Sequence, residues 1–139
     1  VVETPEVVEA SEVVEPVIVK AFQEFFNYNV KSMKTNSSSY KTLVDDLAKL
    51  AKQSGDLTLT IEASASKVPT EKYGTNENLA KTRGETAKAT LLSSLKATGV
   101  TVSVDVNINP LVQGPDFNKD AIENRANYEK YQYVKISVK

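Results

Sequence analysis

Apolar and polar residues alternate in two segments of the chain, and each segment therefore predicts a half-buried strand. From 57 to 64 every odd position is apolar and every even position is Thr, Glu or Ser. The stretch 100–108 repeats the pattern with Val and Ile at the even positions. Because successive side chains of a strand point to opposite faces, a period of two indicates one buried face. Four of these apolar side chains are expected to face the same core: Leu59, Ile61, Val102 and Val104.

Two longer segments carry apolar residues at the spacing of an amphipathic helix. In 39–53 they recur every three or four positions, with lysines and aspartates opposite, and this period predicts a helix. The serine-rich stretch before it supplies an N-cap, and Ser54-Gly55-Asp56 ends it. The second segment predicts a helix over 76–97, which Gly99 terminates.

The remaining elements are shorter. Aromatic residues predict a first strand over 21–28, and proline with glycine predicts a loop over 109–118. A short helix is expected over 119–130, followed by a last strand over 132–138. That strand should turn three apolar side chains inward: Val134, Ile136 and Val138.

Strands and helices therefore alternate along the chain. This order predicts an α+β fold, an α/β two-layer sandwich, with a βαβαβ core, a short extra helix and a closing strand. Connections of this length imply right-handed crossovers, and hence a mixed sheet with the helices on one face.

The first sixteen residues differ from the rest of the chain. They repeat a Val-Val-Glu unit, contain Pro5 and Pro16, and carry five glutamates with no Lys or Arg. We interpret 1–16 as an extended acidic linker that is dispensable for folding, and 17–139 as the folded domain. The valine pairs leave a second interpretation open, in which the segment adds a strand to a sheet edge.

Composition excludes several classes of chemistry. The chain has no cysteine, histidine or tryptophan, so disulfides, thiol nucleophiles, imidazole catalysis and the usual zinc sites are absent. We expect no metal, no cofactor and no enzymatic activity. No apolar run reaches the roughly 20 residues that span a membrane.

Nucleic acid is not an expected partner. The net charge is −1 and residues 1–16 carry −5, so the rest of the chain carries only about +4. A cluster of tyrosines and lysines near the end of the chain does not change this: Tyr128, Lys130, Tyr131, Tyr133 and Lys135.

The second helix opens with a spaced motif, Asn76-x-x-Leu79-Ala80-x-x-Arg83. Residues three, four and seven apart lie on one helix face, so Asn76 and Arg83 can address the same patch. With Phe26-Asn27-Tyr28-Asn29 after the first strand and 133–138 as the closing strand, the chain resembles the OmpA-like, peptidoglycan-associated domain over about residues 21–138.

The resemblance implies a binding site for the peptide stem of peptidoglycan. In the family, the helix arginine pairs with the carboxylate of diaminopimelate, and an aspartate after the second strand pairs with its ammonium. Arg83 matches the arginine, while Asn76 is expected either to cap the helix or to contact ligand. The family's Gly-His-Thr-Asp stretch reads Ala-Ser-Ala-Ser here, so Ser66 takes the place of the aspartate. Glu71 or Asn27 could supply the missing polar contact.

Two functions follow as expectations. The first is a peptidoglycan-binding module that ties an upstream domain of the same polypeptide to the cell wall, in the periplasm and associated with the outer membrane. The second is a structural or protein-interaction domain that keeps the fold and has lost peptidoglycan binding.

Overall fold

The computed structural model describes residues 19–27, 30–70, 72–117 and 125–139. These segments contain four strands and three helices. The strands are β1 (Phe22–Phe25), β2 (Asp56–Ala65), β3 (Ser103–Val112) and β4 (Tyr133–Val138), and the helices are α1 (Ser38–Ser54), α2 (Asn76–Ala97) and α3 (Arg125–Glu129). The predicted α+β class is confirmed.

The strands form one mixed sheet in the order β1-β4-β2-β3. β2 and β3 are parallel and joined through α2, whereas β4 runs antiparallel to both β1 and β2. Ile61 of β2 lies opposite Ile108 on one side and Ile136 on the other. β4 therefore inserts between β1 and β2, and the ends of β1, β2 and β4 meet at one end of the sheet.

The helices cover the face of the sheet that the alternating pattern predicts. Leu59 and Ile61 have no exposed surface, and Val102 and Val104 pack against the same core while partly buried. The difference arises because β3 is the outermost of the described strands, with a neighbour on one side only. On the other face of β2, the alternate side chains, such as Thr60, are half-exposed.

Capping of α1 follows the prediction. Ser37 is the N-cap, and its hydroxyl accepts a hydrogen bond from the Tyr40 backbone N–H at 3.2 Å. At the other end Gly55 has φ 77°, in the left-handed region that glycine adopts without steric cost, and its N–H donates to Ala51 O at 2.9 Å.

β3 continues four residues beyond its predicted end, through Pro110 to Val112. The expected loop over 109–118 was therefore wrong in its first part. The Gln113 N–H donates to Ala65 O at 3.0 Å, which directs the backbone groups of the odd-numbered residues of β3 toward β2. Pro110 is even-numbered and faces outward, so its missing N–H removes no hydrogen bond to β2.

The last strand departs from its pattern at one position. Val134 and Ile136 are fully buried as predicted, whereas Val138 lies opposite Leu59 on the same face of the sheet but stays 37% exposed. The pairing of β4 with β1 reaches only Ile136, opposite Phe22. Val138 lies two residues further on and has no β1 residue beside it.

The linker with its domain boundary, the first strand and the short helix were predicted over residues that lie partly or wholly outside the described part of the chain. The linker over 1–16 and the domain boundary stay predictions. The first strand is shorter than expected, with 28–29 outside the description, and the short helix is described only as Arg125–Glu129. Among the described residues, no helix is long and apolar enough to span a membrane.

α2 approaches the sheet closely at Gly84. A Cβ at this position would overlap Cγ2 of Ile108 and lie 3.3 Å from Cβ of Ala63. The close approach explains why this chain needs the smallest residue after Arg83.

We therefore expect Gly84→Ala to destabilise the domain. Alanine gains about 1 kcal/mol of helix propensity, but overpacking of a core position costs about 1–3 kcal/mol. Urea unfolding should show a net loss, and adding Ile108→Ala should cost less than the sum of the two single changes. A gain of about 1 kcal/mol from Gly84→Ala, the value for an unpacked helix position, would contradict the close approach.

Candidate functional site

Arg83 extends from α2 to the end of the sheet where β1 and β2 finish and β4 begins. Its side chain is 0% exposed and is among the largest fully buried side chains of the described residues. Nε donates to Val30 O at 2.8 Å, and Nη1 donates to Ser64 O at 2.9 Å. The residue that sequence analysis placed at a ligand-facing surface is therefore enclosed by the chain itself.

The second terminal nitrogen of Arg83 completes the set of contacts. Nη2 donates to the side-chain Oε1 of Gln132 at 3.1 Å and to Asn27 O at 3.3 Å. The guanidinium carbon lies 5.0 Å from the centroid of the Phe26 ring, a cation–π distance. Because a guanidinium has five N–H groups and these bonds use four, the side chain joins three strand ends and keeps one N–H that no described residue accepts.

The electrostatics of this site are unusual. The described residues give Arg83 four acceptors, three backbone carbonyls and one side-chain amide oxygen, and none of these four carries a negative charge. Burial lowers the pKa of Arg83 to about 10, with a smaller opposing electrostatic effect from Tyr73. A pKa near 10 leaves the side chain protonated at neutral pH. Within the described part of the chain, Arg83 is therefore a buried cation held by neutral dipoles.

Asn76 does not cap α2. The N-cap is Thr75, which has extended backbone angles of φ −134° and ψ 158°, and its Oγ1 accepts from the Asn78 N–H at 3.1 Å. Asn76 is already helical, so the capping interpretation was wrong. Its Oδ1 is buried and has no hydrogen-bond partner among the described residues. A buried unpartnered acceptor costs free energy that a ligand N–H can recover.

The two small apolar residues of the motif hold α2 in place. Leu79 and Ala80 are buried and pack with Ala65 at the end of β2 in a small cluster, against which Tyr73 also packs. The helix face that carries Asn76 and Arg83 is thereby fixed over the end of the second strand.

The other predicted site residues are placed differently. Ser66 is 2% exposed, and its Oγ accepts from the Val68 N–H at 3.4 Å, so its hydroxyl bonds to its own loop. Asn27 meets Arg83 through its backbone carbonyl, while its side chain is exposed. Glu71 lies outside the described residues. The structure thus brings Arg83 together with Asn27, and within the described part neither Ser66 nor Asn76 forms a hydrogen bond with Arg83.

A polar network that sequence analysis missed runs beside this site. The Tyr133 hydroxyl donates to Glu62 Oε2 at 2.5 Å, and Gln113 Nε2 donates to Tyr133 Oη and to Ser64 Oγ, each at 3.0 Å. Burial raises the pKa of Tyr133, and its hydrogen bond to the Glu62 carboxylate adds to the effect. Glu62, Ser64 and Tyr133 share the polar face of the sheet in the pairing register, whereas no pattern marks Gln113.

Ser64 links the two sets of contacts. Its backbone oxygen accepts from Arg83 and its hydroxyl accepts from Gln113. The described residues contain no group of three or more His, Cys, Asp or Glu side chains able to hold a metal ion. What this end of the sheet offers is a guanidinium and an unpartnered amide oxygen, groups suited to holding a polar ligand.

Replacing Arg83 should cost stability as well as any binding. Arg83→Met keeps much of the side-chain bulk but removes the donor from three backbone carbonyls and the Gln132 amide, and the acceptors on Ser64 and Gln132 are buried. We therefore expect a loss of about 2–4 kcal/mol in urea unfolding. Lys81→Met, at an exposed position of the same helix, should change stability by less than about 0.5 kcal/mol. Equal effects of the two changes would show that the Arg83 bonds do not support the fold.

Comparison with known proteins gives similarity in structure only. No protein-family profile matches the chain, and no curated protein matches it. The solved structure of the cell wall anchor of the T6SS from Pseudomonas aeruginosa is similar, with a TM-score of 0.52 and 13% sequence identity over 94% of this chain and 92% of that one. A MotB-like protein from Desulfovibrio vulgaris gives a TM-score of 0.48 and 13% identity over 86% of this chain and 74% of that one. At this identity, the chain shares the fold of the cell wall anchor.

Proposed function

We propose that this domain binds the stem peptide of peptidoglycan non-covalently and anchors a larger cell-envelope protein to the cell wall. The observation that carries the proposal is the buried, protonated guanidinium of Arg83, whose four acceptors among the described residues are all neutral. The planar fork of a guanidinium matches a carboxylate, and the attraction between them is strong where water is excluded.

The fold supports the same function. A protein whose structure is titled as a cell wall anchor shares this fold over nearly its whole length. The Asn76-x-x-Leu79-Ala80-x-x-Arg83 motif lies on the helix that covers the end of β2, as expected from the resemblance to OmpA-like domains. Fold similarity alone does not establish function, so the site has to carry the argument.

The ligand we infer is a diaminopimelate-type stem peptide. Its carboxylate would take the Arg83 N–H that no described residue accepts, and it would compete with the carbonyls of Asn27 and Val30 for others. A long side chain on a helix runs back toward the helix N-terminus, so the Arg83 guanidinium lies on the Asn76 side of its own Cα. The unpartnered Oδ1 of Asn76 is then available to accept from an ammonium or amide of the same ligand.

The part of the site that would bind the ligand ammonium is weaker than the part that would bind its carboxylate. Ser66 stands where the family has an aspartate, and a hydroxyl can accept a hydrogen bond from an ammonium but cannot neutralise it. Glu71, in the loop before α2, is the nearest acidic residue in sequence to Asn76 on that side and remains a candidate counter-charge. We therefore propose weaker binding than that of a site with both charges in place.

The cellular setting follows from the same proposal. A non-enzymatic wall-binding domain works when it is tied to another part of the envelope, so we propose an upstream domain connected through the acidic segment 1–16. The compartment that gives access to peptidoglycan is the periplasm, and we propose an association of the whole protein with the outer membrane.

A second function is favoured by one observation. Four of the five Arg83 N–H groups already bond to the chain itself, and the side chain has no exposed surface. A domain that uses this arginine only to hold its strand ends together would keep the fold and serve as a structural or protein-interaction unit.

Two nearly isosteric substitutions at Ser66 separate these functions. Ser66→Asp adds a carboxylate at the family's position, whereas Ser66→Asn adds a neutral group of similar size. Binding to purified sacculi and to a diaminopimelate-containing tripeptide should be measurable for the native protein. It should strengthen by up to about tenfold in Ser66→Asp and change little in Ser66→Asn. The gain should shrink at high salt, because mobile ions screen the attraction between the charged ligand in solution and the added carboxylate.

The comparison holds only if both variants keep the melting temperature of the native protein, because a substitution at the buried Ser66 can also destabilise the fold. If the native protein ignores sacculi and Ser66→Asp binds no better, the binding function is refuted and the structural function replaces it. A loss of binding in Glu71→Gln would identify the carboxylate that substitutes for the missing aspartate.

A further inference from the structure

β3 has an outer edge that no other described strand occupies. Its ten residues pair with β2 along their whole length, from Ser103 opposite Asp56 to Val112 opposite Ala65. No described strand lies on the other side of β3. A long strand with one unpaired side presents a row of backbone donors and acceptors to any second strand.

The hydrogen-bonding groups on this edge can be assigned by residue. The bond from the Gln113 N–H to Ala65 O sets the odd-numbered residues of β3 toward β2. The N–H and C=O groups of Val104, Val106 and Ile108 therefore point outward. Pro110, next in this series, has no N–H and limits the useful edge at that end.

The side chains of the same residues are incompletely covered. Val104 and Val106 pack against the core but stay only partly buried, as does Ile108. Beside the start of the strand lies an open, mostly apolar groove lined by Leu92, Leu95, Val100, Val102 and Val104. An additional strand on this edge would cover both.

The edge also lacks the usual protection against pairing. Exposed edges of natural sheets are commonly guarded by lysines, inward-pointing charges or bulges. β3 contains one charged residue, Asp105, and no Lys or Arg. Its single protective device is Pro110, which lies outside the stretch from Val104 to Ile108.

We propose that β3 is a homodimerisation edge, at which two copies of the chain pair antiparallel with Val106 at the twofold axis. In this register Val106 lies opposite its counterpart, and Val104 lies opposite Ile108 of the second copy. Each of these pairs exchanges both of its N–H···O bonds, because all three residues face outward. A closed twofold contact of this kind uses the same surface on both copies.

Charge and hydrogen bonding select this register over its neighbours. With Val106 at the axis, Asp105 faces Asn107 and no two like charges are opposed. Moving the axis to position 105 would oppose two aspartates. Moving it to 107 would place Pro110 opposite Val104, whose outward carbonyl would then lose its donor.

A second copy also fits the edge better than the acidic segment of the chain. Residues 1–16 carry five glutamates and no basic residue, so their approach would bring negative charge to Asp105. A second β3 instead offers Asn107, which can donate to that carboxylate.

Disulfide trapping tests the register, because the native chain has no cysteine. Asp105 and Asn107 of opposing copies form a non-hydrogen-bonded pair with Cα atoms about 4.5 Å apart, within the range of a disulfide. The full-length double variant Asp105→Cys/Asn107→Cys should give a covalent dimer on oxidation with oxidised glutathione. Each single variant should give much less, since neither residue faces its own counterpart.

Sedimentation velocity over a concentration series tests the association itself. The native chain should show a reversible dimer. Val106→Pro should raise the dissociation constant of this dimer at least tenfold. The variant should keep the native circular dichroism spectrum, because the Val106 N–H makes no bond to β2. If Val106→Pro fails to fold, Val106→Lys provides the same test by opposing two ammonium groups at the axis.

Three results would overturn the proposal. One is a native chain that stays monomeric up to about 1 mM, the affinity of a very weak contact. A second is a double-cysteine variant that cross-links no better than the single variants. The third is a dimer that disappears when residues 1–16 are deleted, which would make the acidic segment the contact.

Discussion

The hydrogen bonds of Arg83 set the geometry of the end of the sheet. They join the carbonyls of Asn27 and Val30 after β1, the carbonyl of Ser64 in β2 and the amide of Gln132 before β4. These segments are far apart in sequence and belong to three strands. The guanidinium stabilises their relative positions, because the buried acceptors on Ser64 and Gln132 would be costly to leave without a donor. Fold and candidate site therefore depend on one side chain.

A buried cation of this kind is prepared for an anion. The guanidinium loses its hydration when the chain folds, before any ligand binds, and the dipoles that hold it are fixed in place. A ligand carboxylate would meet an oriented guanidinium and would exchange with neutral carbonyls, which are weaker acceptors than a carboxylate. Because Arg83 also supports the fold, a loss of binding in an Arg83 variant has to be compared with the loss of stability in the same variant.

The sequence correctly predicted the strands and helices that have a regular apolar period. It did not predict the features that depend on which strands lie next to each other in the sheet. The alternation over 57–64 correctly predicted β2, and the motif placed α2 to the residue. Pro110 ended the predicted strand too early, because only the sheet order shows that its N–H faces outward. The burial of Arg83 was also out of reach, since its acceptors are mainly backbone carbonyls, which every residue has. Thr75 caps α2 in place of Asn76, a shift of one residue that propensity cannot resolve, because both are good caps.

The most direct test of the central role of Arg83 is the NMR signal of its Nε–H group. The chain has two arginines, Arg83 and Arg125, so Arg125→Lys assigns the two signals in an arginine-labelled sample. The account predicts that the Arg83 signal exchanges slowly with water at neutral pH, since the group is buried and bonded to Val30 O, and that a diaminopimelate-containing tripeptide shifts it. An Arg83 Nε–H that exchanges as fast as that of free arginine would contradict the burial and hydrogen bonding of the Arg83 side chain. A slowly exchanging signal that the tripeptide leaves unchanged would contradict the role of Arg83 in binding.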